Sequence, residues 1–153
     1  MPRVFASHFT VPEDAIDIQG HVNNLKYVAW MQDVAIAHST AQGWPMDRYV
    51  SLGLGWVVRS HFIKYIRPAF AGEALSLFTW IGGFSPRSSP RKYLFWRAAD
   101  QAVLAEAETM WVFIDLHKGH PCHVPTEVRD SFDIVADPDE VLRMARSGVL
   151  TTS

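Results

Sequence analysis

Asp17, Gln19, His21, Asn23 and Asn24 crowd into one short stretch, "DIQGHVNN", with Gly20 among them. Directly beyond it, Asn24 to Gln42 runs without a Gly or Pro and reads as a helix. A helix start needs a single capping acceptor, which Asn23 can supply, and Asp17 would complement the positive end of the dipole. The remaining polar groups call for another use. A helix N-terminus presents unpaired backbone N–H groups to whatever lies in front of it, and an oxyanion forming from a carbonyl is stabilised there. A carboxylate held opposite by the loop would supply a nucleophile or a base for water, which completes the equipment for acyl-group hydrolysis. Thioesters suit such a site, because a thiol of pKa around 8.5 departs as thiolate with little help from a general acid.

The elements that must hold these groups follow from the rest of the pattern. Residues 3–11, rich in aromatic and β-branched types, read as a first strand that ends at Pro12. In the helix, Leu25, Tyr27, Val28, Ala29, Trp30, Met31, Val34, Ala35, Ile36 and Ala37 cover almost the whole circumference, interrupted by Lys26 and Asp33 on one side. A helix of this kind is expected to be buried on nearly all sides, with a sheet curled around it. Leu54–Ile66, Ala74–Gly82, Arg91–Ala99 and Val103–Leu116 are the strands available, and four strands after one helix predict a mostly antiparallel α+β fold. Tyr93, Phe95 and Arg97 share one face while Leu94, Trp96 and Ala98 share the other, so both faces carry apolar residues. The second face is therefore expected to meet another subunit. In the tail, "PTEVRDSF" suits a helical turn, and "DPDEVLRMARSG" reads as a helix with Asp137 as N-cap, Pro138 at its first position and Gly148 as stop.

Composition excludes several classes of function. The formal net charge is −2 and the pI near 6.4, with no run of like charge, so no nucleic-acid partner is expected. One cysteine, Cys122, leaves no internal disulfide, no stretch is long and apolar enough to span a membrane, and "MPRVFASHF" does not read as a signal peptide. A cytoplasmic protein is the expectation. The segment "HKGHPCH" gathers His117, His120, Cys122 and His123, but a tetrahedral zinc site generally draws on two separated pairs, so no metal is expected.

"DIQGHVNNLKYVAWMQDVA" resembles the signature of the hotdog-fold acyl-CoA thioesterases of the 4-hydroxybenzoyl-CoA thioesterase type. An Asp, a Gly three residues later, an Asn-containing loop and a Tyr on the helix recur in that family. The stretch is also similar to the corresponding loop of plant acyl-carrier-protein thioesterases, and "KYIRPAFAGEAL" and "AEAETMWVFIDLHKGHPCHVP" extend the resemblance over residues 3–128. It implies a hotdog fold, one long central helix wrapped by a curled antiparallel sheet of about five strands. Residues 1–153 would form a single such domain, with a short helical tail over about 126–153. It further implies hydrolysis of an acyl-CoA to free acid and CoA, without cofactor or metal, by a homodimer or homotetramer whose sites lie at the subunit interface.

Carried over residue by residue, the resemblance places the catalytic carboxylate on Asp17 and the carbonyl-polarising backbone N–H at Asn24. His21 and Gln19 fall where the acyl-carrier-protein branch has a histidine and an amide, although that branch has Asn in place of Gln19. Gly20, Asn23 and Tyr27 would position the loop. Since CoA carries phosphates, Arg59, Lys64, Arg67, Arg87, Arg91 and Lys92 are candidate contacts, the plainer reading being a solvated basic surface. Trp30, Val34, Trp56, Val58 and Phe62 are candidates for an acyl pocket. Three other readings compete: hydrolysis of an acyl-carrier-protein thioester, a hydratase or dehydratase on the same fold, and a non-catalytic acyl-thioester binding module. "DIQGH" lacks the Asn-Pro that hydratase motifs carry, which places that reading behind.

Overall fold

The alternating segments become an antiparallel sheet in the computed structural model, which describes residues 3–150. Five strands, β1 (Phe5–Thr10), β2 (Leu54–Tyr65), β3 (Ala74–Ile81), β4 (Ser88–Arg97) and β5 (Ala102–Asp115), lie in the order β1-β3-β4-β5-β2. A two-residue β6 (His120–Pro121) folds back onto β5. The register runs from Phe5 opposite Thr79 to Thr10 opposite Ala74 at one end, and from Leu54 opposite Asp115 to Tyr65 opposite Ala105 at the other. Irregularities between Val58 and Ser60 in β2 and between Phe95 and Trp96 in β4 add local twist. With them the sheet curls.

The helix α1 (Asn24–Ala41) lies on the concave face and buries Tyr27, Met31, Val34, Ala35 and His38, a stripe at helical spacing. Opposite it stand Leu75, Leu77, Tyr93, Phe95, Leu104 and Ala105, the inward residues of β3, β4 and β5. The expectation of a helix enclosed on nearly all sides is corrected here. One face of α1 is covered, whereas Leu25, Ala29 and Ala37 are exposed, and β2, at the end of the sheet, likewise leaves Val57, Val58 and Phe62 in solvent.

The convex face also departs from expectation. Phe78, Trp80, Leu94 and Trp96 are covered not by another subunit but by Val141 and Ala145 of the tail helix α4 (Pro138–Ser147). Asp137 caps α4 by accepting from the Asp139 N–H at 3.0 Å, and Gly148 ends it in a left-handed conformation that suits glycine, φ +81°. Apolar residues on both faces of a sheet thus demanded a second layer, and the chain's own tail supplies it. Fully burying a side chain of this size contributes roughly 1.5–3 kcal/mol.

Two local differences have simple causes. The fourth strand begins at Ser88 rather than Arg91, since Pro90 lies at the end of β3, where its carbonyl still accepts from the Gly82 N–H at 2.9 Å and its missing N–H forgoes only the return bond at the strand's end. A short helix α2 (Met46–Ser51), which the helix and strand patterns do not single out, follows Pro45. It packs Tyr49 against Trp44 and Phe113, and together with Val128 of α3 (Thr126–Arg129) it closes one end of the sheet.

Candidate active site at the start of the central helix

The loop before α1 is closed on itself. Ile16 and Val22 form an isolated antiparallel bridge, the Asp17 N–H donates to the His21 carbonyl at 2.8 Å, and the Gly20 N–H donates to the Asp17 carbonyl at 3.0 Å. Gly20 sits at φ +86°, a conformation that other residues adopt only with strain. Two further bonds tie the loop to its surroundings, Val22 N–H to the Ala69 carbonyl at 3.0 Å and Asn23 N–H to the Ala15 carbonyl at 2.8 Å. The result is a small staple that fixes Asp17 relative to the helix.

Within that staple the Asp17 carboxylate uses one oxygen structurally. Its Oδ1 accepts from the backbone N–H of Gln19 at 2.9 Å and of His21 at 3.3 Å, while Oδ2 has no partner among the described residues. At the helix start the Asn23 side chain accepts from the Leu25 N–H at 2.9 Å, and the Asn23 carbonyl accepts from Lys26. The Asn24 N–H, between them, has no acceptor among the described residues. An acidic oxygen and an open helix donor therefore belong to one rigid segment.

The remaining sequence candidates separate into distinct places. His21 is exposed, and its ring meets the edge of Phe70 at 5.3 Å between centroids rather than bonding the Asp17 carboxylate. Gln19 is exposed and contributes its backbone N–H. Tyr27 is in the core, in edge contact with Trp30, Tyr65 and Phe95. Burial, then the neighbouring Tyr65 and Glu73, push its hydroxyl up to about 12, so it stays protonated at neutral pH.

Of the six basic candidates, Arg59 lies at the β2 irregularity, and it, Lys64, Arg67 and Arg87 are exposed. Lys92 is paired with Glu108 at 3.2 Å. Arg91 differs from the expected surface cation: at 5% exposure its guanidinium lies inside, bonded to His38 and Thr79. It lines a cavity of about 240 Å³ between α1, α2 and the sheet, with Ile36, Trp44, Tyr49, Trp56 and Trp111. Among the five pocket residues proposed from sequence, Trp56 lines this cavity; Val34 is in the main core, Trp30 packs on Phe9, and Val58 and Phe62 face solvent. The cavity itself had no sequence signal, because strand alternation places Arg91 on a face without saying that the face encloses a space.

Among the described residues no group of three or more His, Cys, Asp or Glu side chains is placed to hold a metal ion, and no helix is long and apolar enough to cross a membrane. His117 of the His-rich segment instead packs over Gly53, where an added Cβ would meet its Nε2 at 2.8 Å.

The model of the thioesterase-like superfamily matches residues 10–132. The chain belongs to that superfamily. No curated protein matches it in sequence. Solved structures share its fold: a 1,4-dihydroxy-2-naphthoyl-CoA thioesterase from Synechocystis superposes with a TM-score of 0.77 at 19% identity, over 89% of this chain and 98% of that one. A Staphylococcus aureus protein solved in complex with CoA gives 0.80 at 14% identity, over 90% and 91%. An acyl-ACP thioesterase from Bacteroides thetaiotaomicron gives 0.78 at 16% identity, over 87% of this chain and 55% of that longer one. This member of the thioesterase-like superfamily thus has the hotdog fold, its curled sheet and central helix being those the resemblance implied, and thioester hydrolysis is the chemistry of that superfamily.

Proposed function

We propose that the protein is an acyl-CoA thioesterase whose reacting groups are the Asp17 carboxylate and the open N–H at the start of α1. The observation that carries this reading is the pairing, on one stapled loop, of an unpartnered Asp17 Oδ2 with an unpartnered Asn24 N–H. In this reading the thioester oxygen accepts from the Asn24 N–H, where charge developing on it is stabilised by the helix end. Asp17 Oδ2 either attacks the carbonyl carbon or takes a proton from the water that does. Collapse of the tetrahedral species breaks the C–S bond, and the thiolate leaves with the electron pair; where Asp17 itself attacked, water then hydrolyses the resulting mixed anhydride and releases the acid and the Asp17 carboxylate. His21, exposed beside Phe70, serves the loop's position or the mouth of the site, and the exposed cations Arg59, Lys64, Arg67 and Arg87 are the candidates for the CoA phosphates.

The CoA half is favoured by the likeness to a Synechocystis enzyme that acts on an acyl-CoA and to a structure that holds CoA. The likeness to an acyl-ACP thioesterase supports a second reading, with a carrier protein as the thiol half. Thiol release from a panel of aliphatic and aromatic acyl-CoAs, beside the same acyl groups on carrier protein, tests both. Faster turnover on CoA supports the first reading; turnover on carrier protein alone replaces it with the second. Tight acyl-CoA binding without release from any member would mean a binding module.

A further inference from the structure

Arg91 is a buried cation without a counter-ion. It is 5% exposed, and no described ion pair includes it. Both of its hydrogen bonds leave from Nη1, to His38 Nδ1 at 2.9 Å and to Thr79 Oγ1 at 3.1 Å, and both acceptors are neutral. The imidazole accepts on Nδ1 and so carries its proton on Nε2; burial first, and Arg91 second, lower its pKa to about 3. Thr79 donates its own hydroxyl proton to the Lys92 carbonyl at 2.9 Å, which leaves its oxygen free to accept. One arm of the guanidinium is thereby pinned, while Nη2 and Nε have no acceptor among the described residues, and the residue lines the cavity.

Burying an uncompensated charge is costly, and a fork of N–H donors matches a carboxylate. Two other lining residues add to the donor excess: the Tyr49 hydroxyl and the Trp111 indole N–H are buried without a well-formed hydrogen bond. The rest of the wall is mainly aromatic and aliphatic. A cavity whose buried unpartnered groups are donors, and whose wall is apolar apart from Gln32, Ser39 and Ser89, calls for an organic anion. Its volume, about 240 Å³, lies below the roughly 300–1,000 Å³ of drug-sized sites, which limits the ligand to a small aryl or medium-chain body.

We propose that this cavity binds the carboxylate of a small apolar organic acid, with Arg91 as the residue that selects it. The site is distinct from the Asp17 loop of the same chain: His38, which holds Arg91, is fourteen residues along α1 from Asn24, about 21 Å at 1.5 Å per residue. Two sources share this chemistry, a free carboxylic acid and the distal carboxylate of an acyl thioester. The binding step does not depend on hydrolysis.

Calorimetric titration of the intact protein with octanoate and 2-naphthoate, beside octanamide and 2-naphthamide, tests the proposal at neutral pH. The acids are expected to bind about ten-fold or more tightly than the amides, as a hydrogen-bonded charge requires, and Arg91→Met to abolish that preference while leaving amide binding within about three-fold. Should Arg91→Met fail to fold, Ile36→Trp at the partly exposed wall keeps the cation, narrows the space and is expected to weaken acid and amide alike. Equal affinity of acid and amide for the wild type, no binding of either at millimolar concentration, a preference that survives Arg91→Met, or acid and amide affinities that Ile36→Trp leaves unchanged would overturn it. Calorimetric titration with adipoyl-CoA beside hexanoyl-CoA separates the sources: a six-carbon acyl chain cannot span the distance from Asn24 to Arg91, so binding at the cavity, and not thiol release, is the readout. Preference for adipoyl-CoA, lost in Arg91→Met, assigns the thioester-borne carboxylate; acid binding without that preference assigns the free acid, and calorimetry retains its meaning if no thioester is hydrolysed.

Discussion

The Asp17 carboxylate accepts from the backbone N–H of His21, at 3.3 Å, and not from its imidazole. Acid and histidine are therefore joined through the loop's backbone rather than as a side-chain dyad. One carboxylate oxygen shapes the turn while the other stays open, so a single side chain holds the loop and presents a reactive atom. The two jobs can be separated by mutation.

Asp17→Asn retains an Oδ1 that accepts from the Gln19 and His21 N–H groups but removes the charge. Thiol release is expected to fall by a factor of about 10²–10⁴, the range for a lost acid–base group, with the melting temperature almost unchanged. Asp17→Ala removes both functions and is expected to lower the melting temperature as well. Wild-type turnover in the folded Asn variant would remove Asp17 from the chemistry.

Asn23→Ala deletes the acceptor for the Leu25 N–H and is expected to cost about 1 kcal/mol of stability, in line with other N-cap losses. Gly20→Ala meets no atom within 4 Å, yet its φ of +86° strains any L side chain. Its expected cost is also about 1 kcal/mol, with a larger effect on turnover than Asn23→Ala, because the strain falls inside the turn that carries Asp17. Urea unfolding and thiol release on the same two variants check the order; equal turnover would mean that the turn does not set Asp17.

What was legible in the sequence, and what was not, follows from the range of the interactions. Asn23 and Asp137 cap their helices through bonds to neighbours two residues on, and Tyr93 and Phe95 face inward by simple alternation, so local pattern sufficed. The cover on Trp80 and Trp96 comes from Val141 and Ala145, far along the chain, and alternation could say only that some cover was needed. Arg91 reads with Arg87 and Lys92 as a CoA contact or part of a basic surface, because the three cations fall within one short stretch of sequence. Its burial depends on His38 and Thr79, which no spacing rule links to it.

One edge of β2 pairs with β5, and the other edge pairs with no strand among the described residues. The strand exposes Val57, Val58 and Phe62 along a length of 12 residues, and Leu25 of α1 is 76% exposed. A long, apolar, unpaired edge is a template for a second chain. Sedimentation velocity is expected to give a dimer or higher oligomer, and Phe62→Glu to shift it to monomer with loss of turnover if the site lies at the interface. A wild-type monomer at micromolar concentration would contradict this, and full activity in a monomeric variant would place the site within one chain.

His38 ties stability to pH. Its folded-state pKa is lowered from 6.5 to about 3, chiefly by burial and secondly by Arg91, so the unfolded chain binds the extra proton first as pH falls. The associated stability is complete above about pH 6.5 and is lost progressively as pH drops from there toward 3. Between pH 7 and pH 5 the loss amounts to about 2 kcal/mol from this one group. His38→Gln keeps an acceptor for Arg91 Nη1 but has no proton to bind. Its stability is expected to be lower at pH 7 and flatter between pH 7 and pH 5, measured by urea unfolding at both. A variant whose slope equals that of the wild type would mean that the imidazole is reached by water and titrates in the folded protein as it does in the unfolded chain.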